Sequence, residues 1–463
     1  MFEIRPDLTL DLIHWLGWAW LFLAVLNVGW TVFLWRSSGK RKGEAGQGTT
    51  NWKAAVFWGV FAAGMLTVAV WHLGWSGQAV ERFPVKLPES FKQAVDEWLC
   101  NPVAYFVCWV CGLFVLLRWR SFFVRPNVAW SLFNFLLIFF LLSLTDWDFR
   151  QLVSKPDNIA IVGMFFLVFF FTWLYLFRAE RNDRRLARGE KTLEEEESER
   201  ELVWPKLVYI ELICMVLVTA ILLWWALAVP APLEQPASRT STPNPAKAPW
   251  YFLGLQELLV YFDPWLAGVV FPSLIIFGLM AIPYLDPNRK GSGYSTFSER
   301  PLAVSTFLFG FLVLWISLIG LGTFLRGPNW TFFGIYERWD VHKVTVLNNV
   351  NLSDLVYRQL GKVFPSLNAV SAHSADAHGL RRFGYVLLRE APGLLLLAFY
   401  FGVLPFLLSR TLLKTQRQEM GTVRFWIFVF LFLGMLLLPL KMILRWAFNV
   451  KYIVAVPEWW LNI

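Results

Sequence analysis

Few side chains in this sequence are equipped for acid–base or metal chemistry, and most of those lie in apolar surroundings. Glu257 stands among Leu255, Leu258 and Leu259 in the stretch 250–262, WYFLGLQELLVYF. A carboxylate there can serve as a base toward an apolar molecule brought within hydrogen-bond reach. Helical periodicity puts Trp250, Gly254, Glu257 and Tyr261 on one face, because seven residues make about two turns. The plainer alternative is that Glu257 points to solvent or pairs with a neighbouring subunit. Asp263 precedes Pro264 at the start of an apolar run and reads as a helix cap. Glu211 lies about one turn inside another apolar run. It is either a site-forming intramembrane carboxylate or the partner of Lys206 or of another subunit.

The histidines are His14, His72, His342, His373 and His378, and no two share a helix at a wide spacing. His14 and His72 fall near the same ends of the first two apolar segments and could meet there as ligands. Hydrogen bonding to backbone or water is the ordinary role for such residues. His373, Asp376 and His378 form a loose cluster without cysteine, which makes a poor metal site. Cys108 and Cys111 make a CxxC, but Gly112 follows where covalent haem attachment needs histidine. Together with Cys100 and Cys214 they read as small buried residues. No metal site is expected.

The elements that must position these residues are membrane helices. The 463 residues are 57% hydrophobic and only 16% charged, which excludes an ordinary soluble domain. Ten apolar segments are long enough to span, near 15–35, 52–75, 101–118, 127–146, 158–178, 206–229, 264–284, 302–325, 391–409 and 423–443. The fold class is therefore all-α, a polytopic transmembrane bundle. The opening MFEIRPDLTLDLIHW lacks a basic n-region and a cleavage site, so insertion through the first span is expected. Basic residues gather in alternate loops: Arg36, Lys40, Arg41 and Lys42; Arg118, Arg120 and Arg125; Arg178–Glu201 with its arginines; Arg289 and Lys290; Arg410, Lys414 and Arg417. The positive-inside rule makes that side cytoplasmic and explains the net charge of +9 without nucleic acid. Trp15, Trp35, Trp52, Trp75, Trp204 and Trp265 sit at segment ends, as interfacial belts do.

Two stretches interrupt the spans. The run 178–203 alternates charges at helical spacing and is expected to be a solvated linking helix. The stretch 230–249 carries Pro230, Pro232, Pro236, Pro243, Pro245 and Pro249, which forbid a regular helix or central strand. It should form an extended outer loop running into a short surface helix at Trp250. Three regions follow: 1–150, membrane helices of unrecognised type; 151–203, a span and charged linker; and 204–463.

The segment 244–253, NPAKAPWYFL, resembles the Pro-Glu-Trp-Tyr-Phe motif in the C-terminal domain of cytochrome b and its detached form, subunit IV of b6f complexes. Residues 255–288 and 327–334 (GPNWTFFG) are similar to the following helices and loop of bacterial members. The resemblance covers about 160–463 and is strongest over 200–335. It implies a subunit of a bc-type complex that helps build the outer quinol-oxidation site for a menaquinol-type quinol, in a bacterial inner membrane. Pro249, Trp250, Tyr251, Gly254 and Tyr261 would contact the quinol, and Glu211 would serve an inner quinone site. The motif's glutamate is missing: Pro249 stands in its place and Ala248 in that of its proline. Glu257 is the replacement expected to accept the proton. Pro457-Glu458-Trp459-Trp460 matches the motif more literally, but it lies in a short tail with no span after it and is expected to anchor or contact a subunit.

The family's two haems need four histidines from two membrane helices, and the second membrane half has none in its spans. The resemblance therefore implies partners: a haem-binding subunit like the N-terminal half of cytochrome b, a Rieske-type iron–sulfur protein and a c-type cytochrome. The b-type haems and the Fe–S cluster would belong to them, and membrane lipid surrounds the whole. Two rival readings are a non-catalytic scaffold subunit and a transporter; the second lacks an internal repeat and has few charges inside its spans.

Overall fold

A computed structural model describes residues 8–40, 48–76, 83–197, 202–229, 236–288, 293–346, 348–364 and 379–463. Arg41, Lys42, Glu201, Pro230, Pro232, Arg289, Lys290 and the cluster His373, Asp376 and His378 lie outside these described residues. Among the described residues nine helices are long and apolar enough to cross a membrane, and a bent pair brings the number to ten. The chain is a multi-pass, mostly helical membrane protein.

The expected third span, near 101–118, is helix Pro102–Arg118, the second member of the bent pair. Glu89–Leu99 and Pro102–Arg118 meet at 82°. Asn101 accepts from the Val103 amide at 3.0 Å, and Pro102 takes the first helical position. That cap and proline start a new helix rather than continue the old one.

The chain divides into two compact units, Met1–Phe169 with Thr323–Lys343, and Phe170–Gly322 with Val344–Ile463. In the first, helices Leu10–Lys40 and Gly48–Leu73 pack along their length, with Leu16, Trp20, Leu23 and Ala69 in the core. A Cβ on Gly17 would stand 3.0 Å from His72 Cβ, so the helices cross where glycine allows it. Asn27 Nδ2 donates to Asn134 Oδ1 at 2.6 Å, and Trp130 Nε1 donates to Asn27 Oδ1 at 2.9 Å. Apolar surface drives no association inside lipid, so such interhelical hydrogen bonds and close packing hold the spans together. The buried Lys92 bonds Asp146 at 2.8 Å, and Asp146 caps helix Trp147–Ser154. The loop after Leu325 closes on this unit, with the Tyr336 hydroxyl 2.7 Å from Ser143 Oγ and the Tyr336 amide donating to Asp96.

The second unit carries the extended stretch, the short helix Trp250–Tyr261 and the later spans. Residues 236–249 contain no regular helix or strand, as their prolines require. The charged linker departs from expectation. Helix Pro156–Ala187 ends in a turn at Gly189, whose φ of +75° suits glycine. Thr192 and Glu195 then form a capping box on a four-residue helix, Leu193–Glu196. The buried Asn182 stops the helix from running on: its side chain donates to Glu194 and to the Ser295 carbonyl and accepts from the Leu193 amide. Cys100 is buried, but Cys108, Cys111 and Cys214 are exposed on outward faces of their helices, which corrects the expectation that all four are core residues.

Candidate functional site

Helix Trp250–Tyr261 begins where Pro249, with backbone angles of −51° and 148°, ends the extended stretch. Gln256 ties that stretch back to the helix. Its Oε1 accepts from the Ala248 amide at 2.7 Å and its Nε2 donates to the Ala246 carbonyl at 2.8 Å. The two bonds fix the approach to Trp250 through residues that cannot use regular secondary structure.

One face of the helix is buried: Leu253, Gly254, Glu257, Leu258 and Tyr261. The backbone at Gly254 lies against the span Pro301–Leu325, where a Cβ would meet Ile319 at 3.6 Å and the Trp315 carbonyl at 3.9 Å. Leu253 in turn fills the space a Cβ on Gly322 would enter, at 3.1 Å. Glu257 has 0% exposed surface, and the Tyr261 hydroxyl donates to its Oε1 at 3.1 Å. The expectation that Gly254, Glu257 and Tyr261 share a face holds, and Glu257 does not point to solvent. Trp250 departs from it. It precedes Gly254 by one turn and remains 40% exposed, beside Tyr251 and Phe252 at 50% and 52%. Pro249 is exposed as well. The site thus has an aromatic, open first turn and a closed second half holding the carboxylate.

The closed half is sealed by residues that the sequence reading missed. The Tyr261 ring stands edge-on to Trp446, with centroids 5.9 Å apart. Lys441 is fully buried, donates to the Lys451 carbonyl at 2.6 Å and lies 5.5 Å from the Phe262 ring. Lys451 Nζ reaches the last carbonyls of the helix, Leu259 at 3.3 Å and Val260 at 3.4 Å, where a cation favours the helix dipole. Burial and the neighbouring Arg445 push the Lys451 ammonium below its ordinary value. Tyr452 donates to Asp263 at 3.0 Å, so the Asp263 side chain binds the C-terminal segment rather than serving only its own helix. Burial and that carboxylate push the Tyr452 hydroxyl up to about 12. The signal for Lys441 and Arg445 was present in the sequence: both are cations at the end of an apolar run, where ionisable residues are costly.

Elsewhere the side chains have ordinary roles. His14 Nε2 donates to the Trp75 carbonyl at 3.0 Å and His72 Nδ1 to the Val68 carbonyl at 2.7 Å. Glu211 is exposed in the first turn of helix Val208–Ala228. Glu458 is engaged within the chain, bonded to Arg389 at 2.8 Å, with the Trp459 ring on Phe383.

The family model described as Cytochrome b(C-terminal)/b6/petD matches residues 236–337. The match starts in the extended stretch, runs through helix Trp250–Tyr261 and two spans, and ends in the loop after Leu325. Members of that family are subunits of bc-type electron-transfer complexes, and the family binds quinone. No solved structure matches the chain.

Proposed function

We propose that this chain is a haem-free membrane subunit of a bc-type complex and contributes helix Trp250–Tyr261 to an outer quinol-oxidation site. The observation that carries the reading is a fully buried carboxylate, Glu257, in the one short surface helix that the family match includes between its extended stretch and next span. The exposed rings of Trp250 and Tyr251, with Pro249 before them, supply a flat apolar wall for a quinone ring. Oxidation of one quinol releases two electrons and two protons. The electrons would pass to carriers in partner subunits, one to an iron–sulfur protein that feeds a c-type cytochrome and one to a haem-bearing subunit. Glu257 accepts one proton and water takes the second, and both leave on the side of the membrane where the extended stretch lies. Because the carboxylate is enclosed, the quinol reaches it only after the helix face opens, as catalytic hydrogen bonds often tighten only with substrate bound. Glu211, exposed at the start of its span, is the candidate contact for an inner quinone.

The enclosure of Glu257 and the proline at position 249 also favour a second reading, a scaffold that packs against the true catalytic subunit. The Glu257→Gln variant, assayed in the whole complex by quinol-dependent cytochrome c reduction, separates the two. Loss of a positioned base should lower kcat by about 10²-fold or more, with assembly and thermal midpoint little changed. An unchanged rate would leave the scaffold.

A further inference from the structure

The second unit contains a cleft of about 780 Å³ between the span Leu266–Leu285, the span beginning at Pro301 and the last span, Thr422–Phe448. Its walls are apolar, among them Leu274, Ile282, Leu314, Phe432 and Leu438. Two glycines keep it open. A Cβ on Gly278 would meet nothing within 4 Å, and one on Gly310 would approach Met435 Sδ at 3.1 Å. One end reaches Leu258. The other is polar and carries Asp286, Glu299, Arg300, Gln416 and Glu419.

That polar end is incomplete. Arg300 Nη2 donates to the Tyr294 carbonyl at 2.9 Å and Nη1 faces Asp286 at 3.7 Å, but its buried Nε has no hydrogen-bond partner. Gln416 Oε1 is likewise buried without a partner. A buried donor and a buried acceptor left unmade at one cavity mouth each carry a desolvation penalty that a ligand would relieve. The ligand must offer an acceptor to Arg300 and a donor to Gln416. Among the lining residues three carboxylates, Asp286, Glu299 and Glu419, stand against one guanidinium. The mouth therefore suits a group that also carries a positive charge.

We propose that this cleft is a binding site for an aminophospholipid with a primary ammonium head, of the phosphatidylethanolamine type. One acyl chain fills the cleft, whose volume lies within the roughly 300–1,000 Å³ usual for ligand sites. The phosphate accepts from Arg300 Nε–H. The ammonium donates to Gln416 Oε1 and faces Glu299 and Glu419. Burying the chain gains little over bulk bilayer, since lipid tails are as apolar as the walls. Selection therefore rests on the head group. Phosphatidylcholine keeps the charge but has no N–H to donate, and phosphatidylglycerol has no cation for the carboxylates.

The test is to exchange the assembled complex into nanodiscs of equal phosphatidylethanolamine, phosphatidylcholine and phosphatidylglycerol. Retained lipid and quinone are then quantified by mass spectrometry after detergent washing. Phosphatidylethanolamine should be retained about tenfold over either competitor, the worth of one charge-assisted hydrogen bond. Gln416→Leu should bring it close to phosphatidylcholine. Gly278→Phe, which fills the cleft with a ring in open space, should remove about one retained lipid per chain while the complex stays assembled. Equal retention of the three lipids, an unchanged preference in Gln416→Leu, or quinone recovered in place of the phospholipid would each overturn the assignment.

Discussion

Glu458 sits in a short motif containing tryptophan and Glu257 lies two helical turns after another, yet their surroundings differ. Glu257 is enclosed by its own helix, Tyr261 and the neighbouring spans. Glu458 is paired with Arg389, each side chain 15% exposed, and Arg389 also bonds Glu390 and the Ala455 carbonyl. The guanidinium holds the Glu458 carboxyl below the usual carboxylate range. A lowered folded-state value means that the pair stabilises the fold above the unfolded value of about 4.3 and loses that contribution as pH falls through the folded one. Glu458→Gln should therefore lower stability by about 1–2 kcal/mol at neutral pH, and the gap should close in melts below about pH 4. A gap that widens on acidification would contradict the pairing. The literal motif thus anchors its own segment, and the degenerate one at Trp250 leads into the helix that carries the enclosed carboxylate. The sequence distinguished them only by context, since an apolar run beginning at Trp265 follows Trp250 closely.

At the scale of elements, the C-terminal segment is what closes the candidate site. Val450–Tyr452 runs beside Val350–Asn351, Ala455–Val456 pairs with Leu461–Asn462, and Glu390 accepts from the Ala455 amide at 3.0 Å. Gly393 lets this segment approach, since a Cβ there would fall on the Ile453 carbonyl. Backbone cannot step aside as a flexible side chain can. Gly393→Ala should cost about 1–3 kcal/mol and expose the tail to limited proteolysis, while a variant as resistant as the parent would show that the approach is not close. The spans were legible in the sequence because a run of about 20 apolar residues has few other uses. The buried face Gly254, Glu257, Tyr261 was legible from helical period alone. The exposure of Trp250 was not, because period says nothing about where the packing partner stops. Nor was the seal made by Lys441, Lys451 and Tyr452, which are far from residues 257–263 in sequence and reach them only through the fold.

For the molecule as a whole, helix Val208–Ala228 decides what must be added. None of its residues is buried, and the span it belongs to has 0% of its apolar window covered. Lipid alone can cover such a helix, but the family match beginning just after it makes a partner helix the expected neighbour. Cys214 is exposed on this helix and is a native probe. A lipid-soluble maleimide should label it readily in the isolated chain and much more slowly in the assembled complex. Equal labelling in both would place the partner elsewhere.

On the proposed reading, the aromatic turn and enclosed carboxylate of helix Trp250–Tyr261 handle a quinol. The most direct test is a photoreactive quinone analogue, irradiated with the assembled complex and mapped by peptide mass spectrometry. Adducts should fall within residues 249–261, above all on Trp250 or Tyr251, and should be lost when excess native quinol competes. Specific, competable adducts confined to other segments or to partner subunits, with residues 249–261 unlabelled, would contradict it.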